Sequence, residues 1–236
     1  MTLETVDLGG YRYVKAIFSY ANDKSSIDKI IEKASRMTGL VNPHGADGKL
    51  RPQDVRFCKS LGGLLAESAF SEYLAAKSRE LNAPFSVLGT TFTQEEDLAR
   101  LGFNQIDLKI RVDETTKDIE IRSSFSYKTT LGRLFGVPLI DGKGAFSLIG
   151  WYSSSNKPTE VKKDYYVFVI HYYEPLEIQR RIYDTVEVYL AGIASRQTLE
   201  ERGEYSSLKQ AGARFRIINP LINIPDPVIA IDDILR

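Results

Sequence analysis

The sequence predicts an α/β (α+β) fold in which a mixed central β-sheet is flanked by helices. Two segments of helical periodicity come early, at 25–38 and 52–81. Short segments rich in β-branched and aromatic residues follow, beginning near Phe85. Some are separated by stretches long enough for crossovers, so parallel and antiparallel neighbours can share a sheet. With 236 residues, 43% apolar and 26% charged, the chain can bury a substantial core, as one domain or one with appendages.

The elements follow in order. Segment 11–21 (YRYVKAIFSYA) reads as a strand. In 25–38, Ile27, Ile30, Ile31, Ala34 and Met37 recur at helical spacing, with Gly39 as a stop. Between Gly39 and Pro52 lies a loop carrying His44, Lys49 and Arg51, either a surface connection or a DNA-contacting loop. Pro52 opens a helix to about Leu81, striped by Cys58, Leu61, Leu65, Ala69, Tyr73 and Ala76. Gly62-Gly63 marks a kink or the close approach of another backbone. Glu67, in the apolar stretch LLAESAF, belongs either to a solvated face or to a site as a third carboxylate.

A short strand is expected at 85–89 and a short helix at 93–100. Segment 104–124 reads as two strands joined by a polar turn, and 125–155 as a crossover ending in a strand at 146–152. Segments 164–173 and 184–194 are apolar strands, the first central. Ser195 caps a short helix, and 214–218 is a last strand. The tail carries prolines too frequent for a long element. In domain terms, 1–51 is a strand–helix extension packed on the core, 52–194 the core, and 195–236 the completion of the same domain.

Composition narrows the function classes. Lys plus Arg number 31 and so do Asp plus Glu, so a nucleic-acid surface would have to be a local patch. A single cysteine, Cys58, excludes an internal disulfide and a cysteine zinc site, and fits a reducing cytoplasm. The N-terminal stretch lacks a signal-peptide pattern and no apolar run approaches the roughly 18 residues of a membrane span, so a cytoplasmic protein without a membrane partner is expected. There is no P-loop and no Gly-x-Ser-x-Gly elbow. Two histidines, His44 and His171, are too few for a histidine-based metal cluster, and His171 reads as a core or edge residue.

The chemistry concentrates in 104–124. Alternation puts Ile106, Leu108, Ile110 and Val112 on one face of the first strand, with Asp107, Lys109 and Arg111 on the other. In the second strand Ile119 and Ile121 alternate with Glu120 and Arg122, so Asp107, Glu120 and Arg122 can share one polar face. Mg2+ takes hard oxygen ligands and needs one or two protein carboxylates beside a phosphate. Asp107 and Glu120 supply them in this reading, with the Ile121 carbonyl as a further ligand and Glu67 in support.

Glu67 in a helix, then IDLKI, IEIRSS and the apolar strand DYYVFVI, resembles the PD-(D/E)XK nuclease superfamily over roughly residues 52–194. The resemblance implies a restriction-endonuclease-like core. It also implies an Mg2+-dependent endodeoxyribonuclease, with Mn2+ as an alternative metal, in restriction, phage defence or mobile-element biology. By it, Asp107 and Glu120 are metal ligands, Glu67 is a supporting acid, and Arg122 stands where the family has a lysine. Ile106 stands where a proline is usual. Arginine keeps its proton, so Arg122 can orient a phosphate but cannot act as a base. Lys128, on the next turn, is the candidate amine. Lys109, Arg111, Lys128 and Arg133 are candidate nucleic-acid contacts, with Lys162-Lys163 and Arg180-Arg181 as further basic doublets. Two other readings stand beside this one: a catalytically inactive module binding nucleic acid or a partner protein, and an RNA-directed nuclease with the same centre. A homodimer or a subunit of a larger complex would suit any of them.

Overall fold

The computed structural model describes residues 1–39, 50–90, 107–127, 147–154, 160–206, 213–219 and 223–236. It begins with a hairpin that the sequence reading did not include. β1 (Thr2–Leu8) pairs antiparallel with β2 (Tyr11–Ser19) through Gly9 and Gly10. Both glycines have positive φ, 63° and 89°, as a two-residue hairpin turn demands. The strand expected over 11–21 ends at Ser19, because α1 (Tyr20–Met37) leaves it directly rather than starting near residue 25. Asp23 makes this possible. Its carboxylate accepts from Ser19 N–H at 2.9 Å and pairs with the Met1 ammonium, and the helix kinks at Asp23 itself.

α2 (Gln53–Leu81) matches its sequence expectation and stops at Asn82, which takes the left-handed conformation of a C-terminal cap. Its predicted stripe is buried from Cys58 to Tyr73, while Ala76 is half-buried. Leu64, Ala66, Phe70 and Leu74 are buried too, so the helix runs through the interior rather than along a surface. Next come β3 (Phe85–Thr90), β4 (Leu108–Val112), β5 (Thr115–Phe125), β6 (Leu148–Ser154) and β7 (Tyr165–His171). A 3₁₀ turn (Pro175–Glu177) leads into α3 (Ile178–Arg181). Then follow β8 (Thr185–Ser195), α4 (Arg196–Arg202), β9 (Glu204–Tyr205) and β10 (Ala213–Ile218). Ser195 caps α4 as predicted, accepting from Thr198 N–H.

The tail departs from expectation by ending in a nine-residue helix, α5 (Pro227–Leu235). Its prolines do not prevent this, because Pro227 sits at the first helical turn, where a missing N–H costs nothing. Asp226 accepts from Val228 and Ile229 N–H and also holds Arg12 at 2.9 Å. The helix expected over 93–100 and residues 128–146 of the crossover expected over 125–155 lie outside the described residues.

Among the described residues a seven-stranded mixed sheet runs β1-β2-β8-β7-β5-β4-β3. Only β5 and β7 are parallel; every other neighbouring pair is antiparallel. One face packs on α1, α2 and α5 through a large apolar cluster that includes Ile27, Leu65, Phe70, Ile110, Val167, Val188 and Ile231. The strands β6, β10 and β9 do not extend this sheet. They form a second, three-stranded antiparallel sheet. With α4 it covers the other face through Leu148, Trp151, Leu199 and Ile218 against Tyr166, Phe168, Ile170 and Tyr189. No helix among the described residues is long and apolar enough to cross a membrane.

Candidate functional site

The alternation of β5 decides what its side chains meet. Ile119 and Ile121 turn to the helical layer and its apolar cluster. Glu120 and Arg122 turn the other way, toward the second sheet, where the Arg122 guanidinium lies 5.9 Å from the Phe215 ring centre. β4 pairs with β5 so that Leu108 opposes Ile119, and the same register carries Asp107 to the place across from Glu120. Asp107 Oδ2 accepts the Ile121 N–H at 2.7 Å. A strand residue's N–H and C=O point to the same edge, so the Ile121 carbonyl lies on the Asp107 side.

Arg122 is more committed than its sequence position implies. Its guanidinium donates to Glu160 Oε1 at 2.5 Å and lies 3.5 Å from Glu120 Oε1. Glu160 is buried, and its other oxygen accepts from Tyr152 N–H at 3.0 Å, so this acid ties β5 to β6. Lys163 belongs to the same cluster. It is only 2% exposed, its backbone N–H donates to the Tyr166 hydroxyl at 2.9 Å, and its ammonium charge acts on both Asp107 and Glu120.

The electrostatics follow from this crowding. Burial raises the Asp107 carboxyl to about 7, with Glu67 adding to the rise and the Ile121 N–H, Arg122 and Lys163 opposing it. Burial likewise raises Glu120 to about 8. Asp107 and Glu160 push it further up, against Arg122 and Lys163. The Glu120 side chain keeps 17% of its surface, so water still reaches the pair. Burial works to discharge Arg122, but Glu120 and Glu160 outweigh it and the guanidinium stays charged.

Asp107, Glu120 and the Ile121 carbonyl are oxygen donors, the kind a hard divalent cation takes. Among the described residues Glu67, Arg122 and Lys163 act on Asp107, and Glu160, Arg122 and Lys163 act on Glu120. Among the described residues no group of three His, Cys, Asp or Glu side chains is placed to hold a metal ion. A cation would therefore rest on Asp107, Glu120 and the Ile121 carbonyl, the sparse protein ligation usual for Mg2+.

Other predicted residues fall as follows. Glu67 is buried, at 4% exposure, which excludes the solvated face; its charge acts on Asp107. Lys109 pairs with Asp118 at 3.4 Å, and Arg111 is exposed. Lys128 and Arg133 lie outside the described residues, as do Ile106, His44 and Lys49. Of the Lys162-Lys163 doublet, Lys162 pairs with Glu200 at 2.7 Å, whereas Lys163 is interior. In the other doublet Arg181 pairs with Glu177 at 2.8 Å. His171 is a core residue, hydrogen-bonded to the Gly62 carbonyl at 3.0 Å, and Cys58 is fully buried. Glu160 and Lys163 were not read as site residues, because their segment KPTEVKKD has no alternation to orient them.

No family model matches the chain, and no solved structure matches it. It is similar to an uncharacterized protein, MJECS01, of Methanocaldococcus jannaschii, at 26% identity over 91% of this chain and 83% of the relative.

Proposed function

We propose that this protein is a metal-dependent nuclease that hydrolyses phosphodiester bonds of DNA, with a PD-(D/E)XK-type centre. The observation that carries the reading is the facing pair Asp107–Glu120 beside the Ile121 backbone, with Glu67 acting on the first and Glu160 on the second. The order of elements supports it as well. A buried helix bearing Glu67 precedes three antiparallel strands, and the next strand of the sheet joins β5 in parallel.

When bound, Mg2+ or Mn2+ would supply charge neutralisation at the phosphate and acidify a water. Asp107 and Glu120 would hold the cation, and the Ile121 N–H fixes the Asp107 rotamer by its hydrogen bond. Glu67 adds negative charge from the helical layer. Arg122 keeps its proton and so orients the phosphate rather than taking a proton from water. The single buried thiol is consistent with a cytoplasmic setting.

One observation favours a second reading, a nuclease-fold module that binds nucleic acid or a partner without cutting it. The Arg122 guanidinium is already engaged by Glu160. The deciding experiment incubates supercoiled plasmid and labelled single-stranded DNA and RNA with the wild type and Asp107→Ala, in Mg2+, Mn2+ or EDTA. The expected outcome is metal-dependent cutting of DNA that falls about a hundredfold or more in the variant. Equal cutting by both proteins would remove the site assignment. Binding without cutting by the wild type would establish the second reading.

A further inference from the structure

Buried polar groups in folded proteins are almost always hydrogen-bonded, so each exception calls for a cause. Among the described residues, two buried donors that lack an acceptor are Arg122 Nε–H and the Tyr152 hydroxyl. They belong to one place. Tyr152 N–H donates to one oxygen of Glu160 at 3.0 Å, and the other oxygen of Glu160 takes the Arg122 guanidinium at 2.5 Å. The Phe215 ring lies against both groups, 5.8 Å from the Tyr152 ring and 5.9 Å from the guanidinium carbon. The hydroxyl also senses Glu160, Arg122 and Glu120 electrostatically.

Glu160 takes the terminal nitrogen of Arg122 and a backbone N–H, and among the described residues Nε and the hydroxyl meet no acceptor. Two donors, one of them charged, beside a pair of acids suited to a divalent cation make an incomplete set. The missing member is an acceptor carrying negative charge. We propose that Tyr152 O–H and Arg122 Nε–H form the seat for a non-bridging phosphate oxygen of the substrate, beside Asp107 and Glu120. The identity of that phosphate as part of a nucleic-acid backbone rests on the nuclease reading; the seat itself does not. Tyr152, on the second sheet, thus becomes a substrate-binding residue, and β6 a wall of the site rather than a distant cover.

The test uses Tyr152→Phe and Arg122→Lys in the full chain. Tyr152→Phe removes a hydroxyl that has no partner among the described residues, so its unfolding midpoint should match the wild type. Arg122→Lys keeps the charge and loses the Nε donor. Inorganic phosphate is titrated in the presence of Mg2+, with Trp151 fluorescence and the unfolding midpoint as readouts, and single-turnover plasmid cleavage is measured alongside. The expected result is phosphate affinity about tenfold or more weaker in each variant, as a charge-assisted hydrogen bond is lost. Cleavage should fall by a similar factor. Phosphate affinity equal in wild type and Tyr152→Phe would overturn the seat and assign the two donors to ordered water, as would a wild type that phosphate fails to occupy. Weaker phosphate binding in the variants, together with a wild type that cuts nothing, would keep the seat and remove the nuclease reading.

Discussion

At the residue scale the Asp107–Glu120 pair sets a pH dependence with a definite sign. Both carboxyls are raised in the folded protein, to about 7 and about 8 from 3.8 and 4.5, first by burial and then by neighbouring acids. The folded chain therefore holds protons that the unfolded chain has released. Their contribution to stability is complete below the unfolded values and disappears as pH rises through the folded ones. His171 runs the other way. Burial lowers it to about 4 from 6.5, so its contribution is complete above 6.5 and is lost only on acidification. Above pH 6.5 the two acids consequently dominate. In EDTA, stability should fall by roughly 3 kcal/mol between pH 6.5 and about 8.5. Asp107→Asn should flatten that slope, and Mg2+ should restore stability most at the alkaline end. Thermal unfolding at three pH values checks this, and a wild type with no alkaline loss would contradict the crowding of the pair. The pair was legible in the sequence because strand alternation and register are local rules. Glu160, Lys163 and Tyr152 were not, since each reaches the site through packing of distant segments.

At the scale of elements, α2 is held at its middle by two rings. His171 Nε2–H donates to the Gly62 carbonyl at 3.0 Å, and because a carbonyl only accepts, Nδ1 must accept from the Tyr173 hydroxyl at 3.1 Å. The Phe125 ring stacks on His171 with centroids 4.8 Å apart. A Cβ on Gly62 would stand 2.9 Å from the Phe125 ring and 3.1 Å from His171 Nε2, whereas one on Gly63 meets nothing within 4 Å. The adjacent glycines should thus respond oppositely to alanine. Gly62→Ala should destabilise by roughly 1 kcal/mol net, overpacking outweighing the gain in helix propensity. Gly63→Ala should stabilise by up to about 1 kcal/mol. Urea unfolding of the two variants measures both, and shifts of the same sign would refute the ring contact. The glycine pair was read from sequence as a kink or a backbone approach; the observed partners are side chains brought in by β5 and β7. Elements with strong periodicity, such as α2, β5, β7 and β8, were legible almost to their ends. The join of β2 to α1 and the helix α5 were not, because Asp23 and Asp226 complete those turns through side-chain bonds that no periodicity records.

At the scale of the whole molecule, the two sheets share one chain but not one core. The expectation of helices around a mixed sheet holds for α1, α2 and α5 on one face. Which strands would leave to build the second sheet depends on long-range pairing that composition does not encode. That sheet is the weaker body. Its strand β9 has two residues, and among the described residues its apolar contacts are a smaller cluster than the one beneath α2. The sole tryptophan, Trp151, reports on it. The ring is 3% exposed, its centre lies 5.9 Å from that of Tyr166 on the central sheet, and the Lys162 ammonium lies 4.6 Å above it. Loss of the second sheet exposes this ring while leaving α1, α2 and the central strands their own core. Segments with fewer buried contacts open at lower cost than the global transition. Trp151 fluorescence should accordingly change at a lower urea concentration than far-ultraviolet circular dichroism, and saturating Mg2+ with phosphate should bring the two transitions together. The ligand would bridge Asp107 and Glu120 on one sheet to Tyr152 on the other. Coincident transitions in the ligand-free protein would mean that the ties through Glu160 already make the two sheets a single cooperative unit.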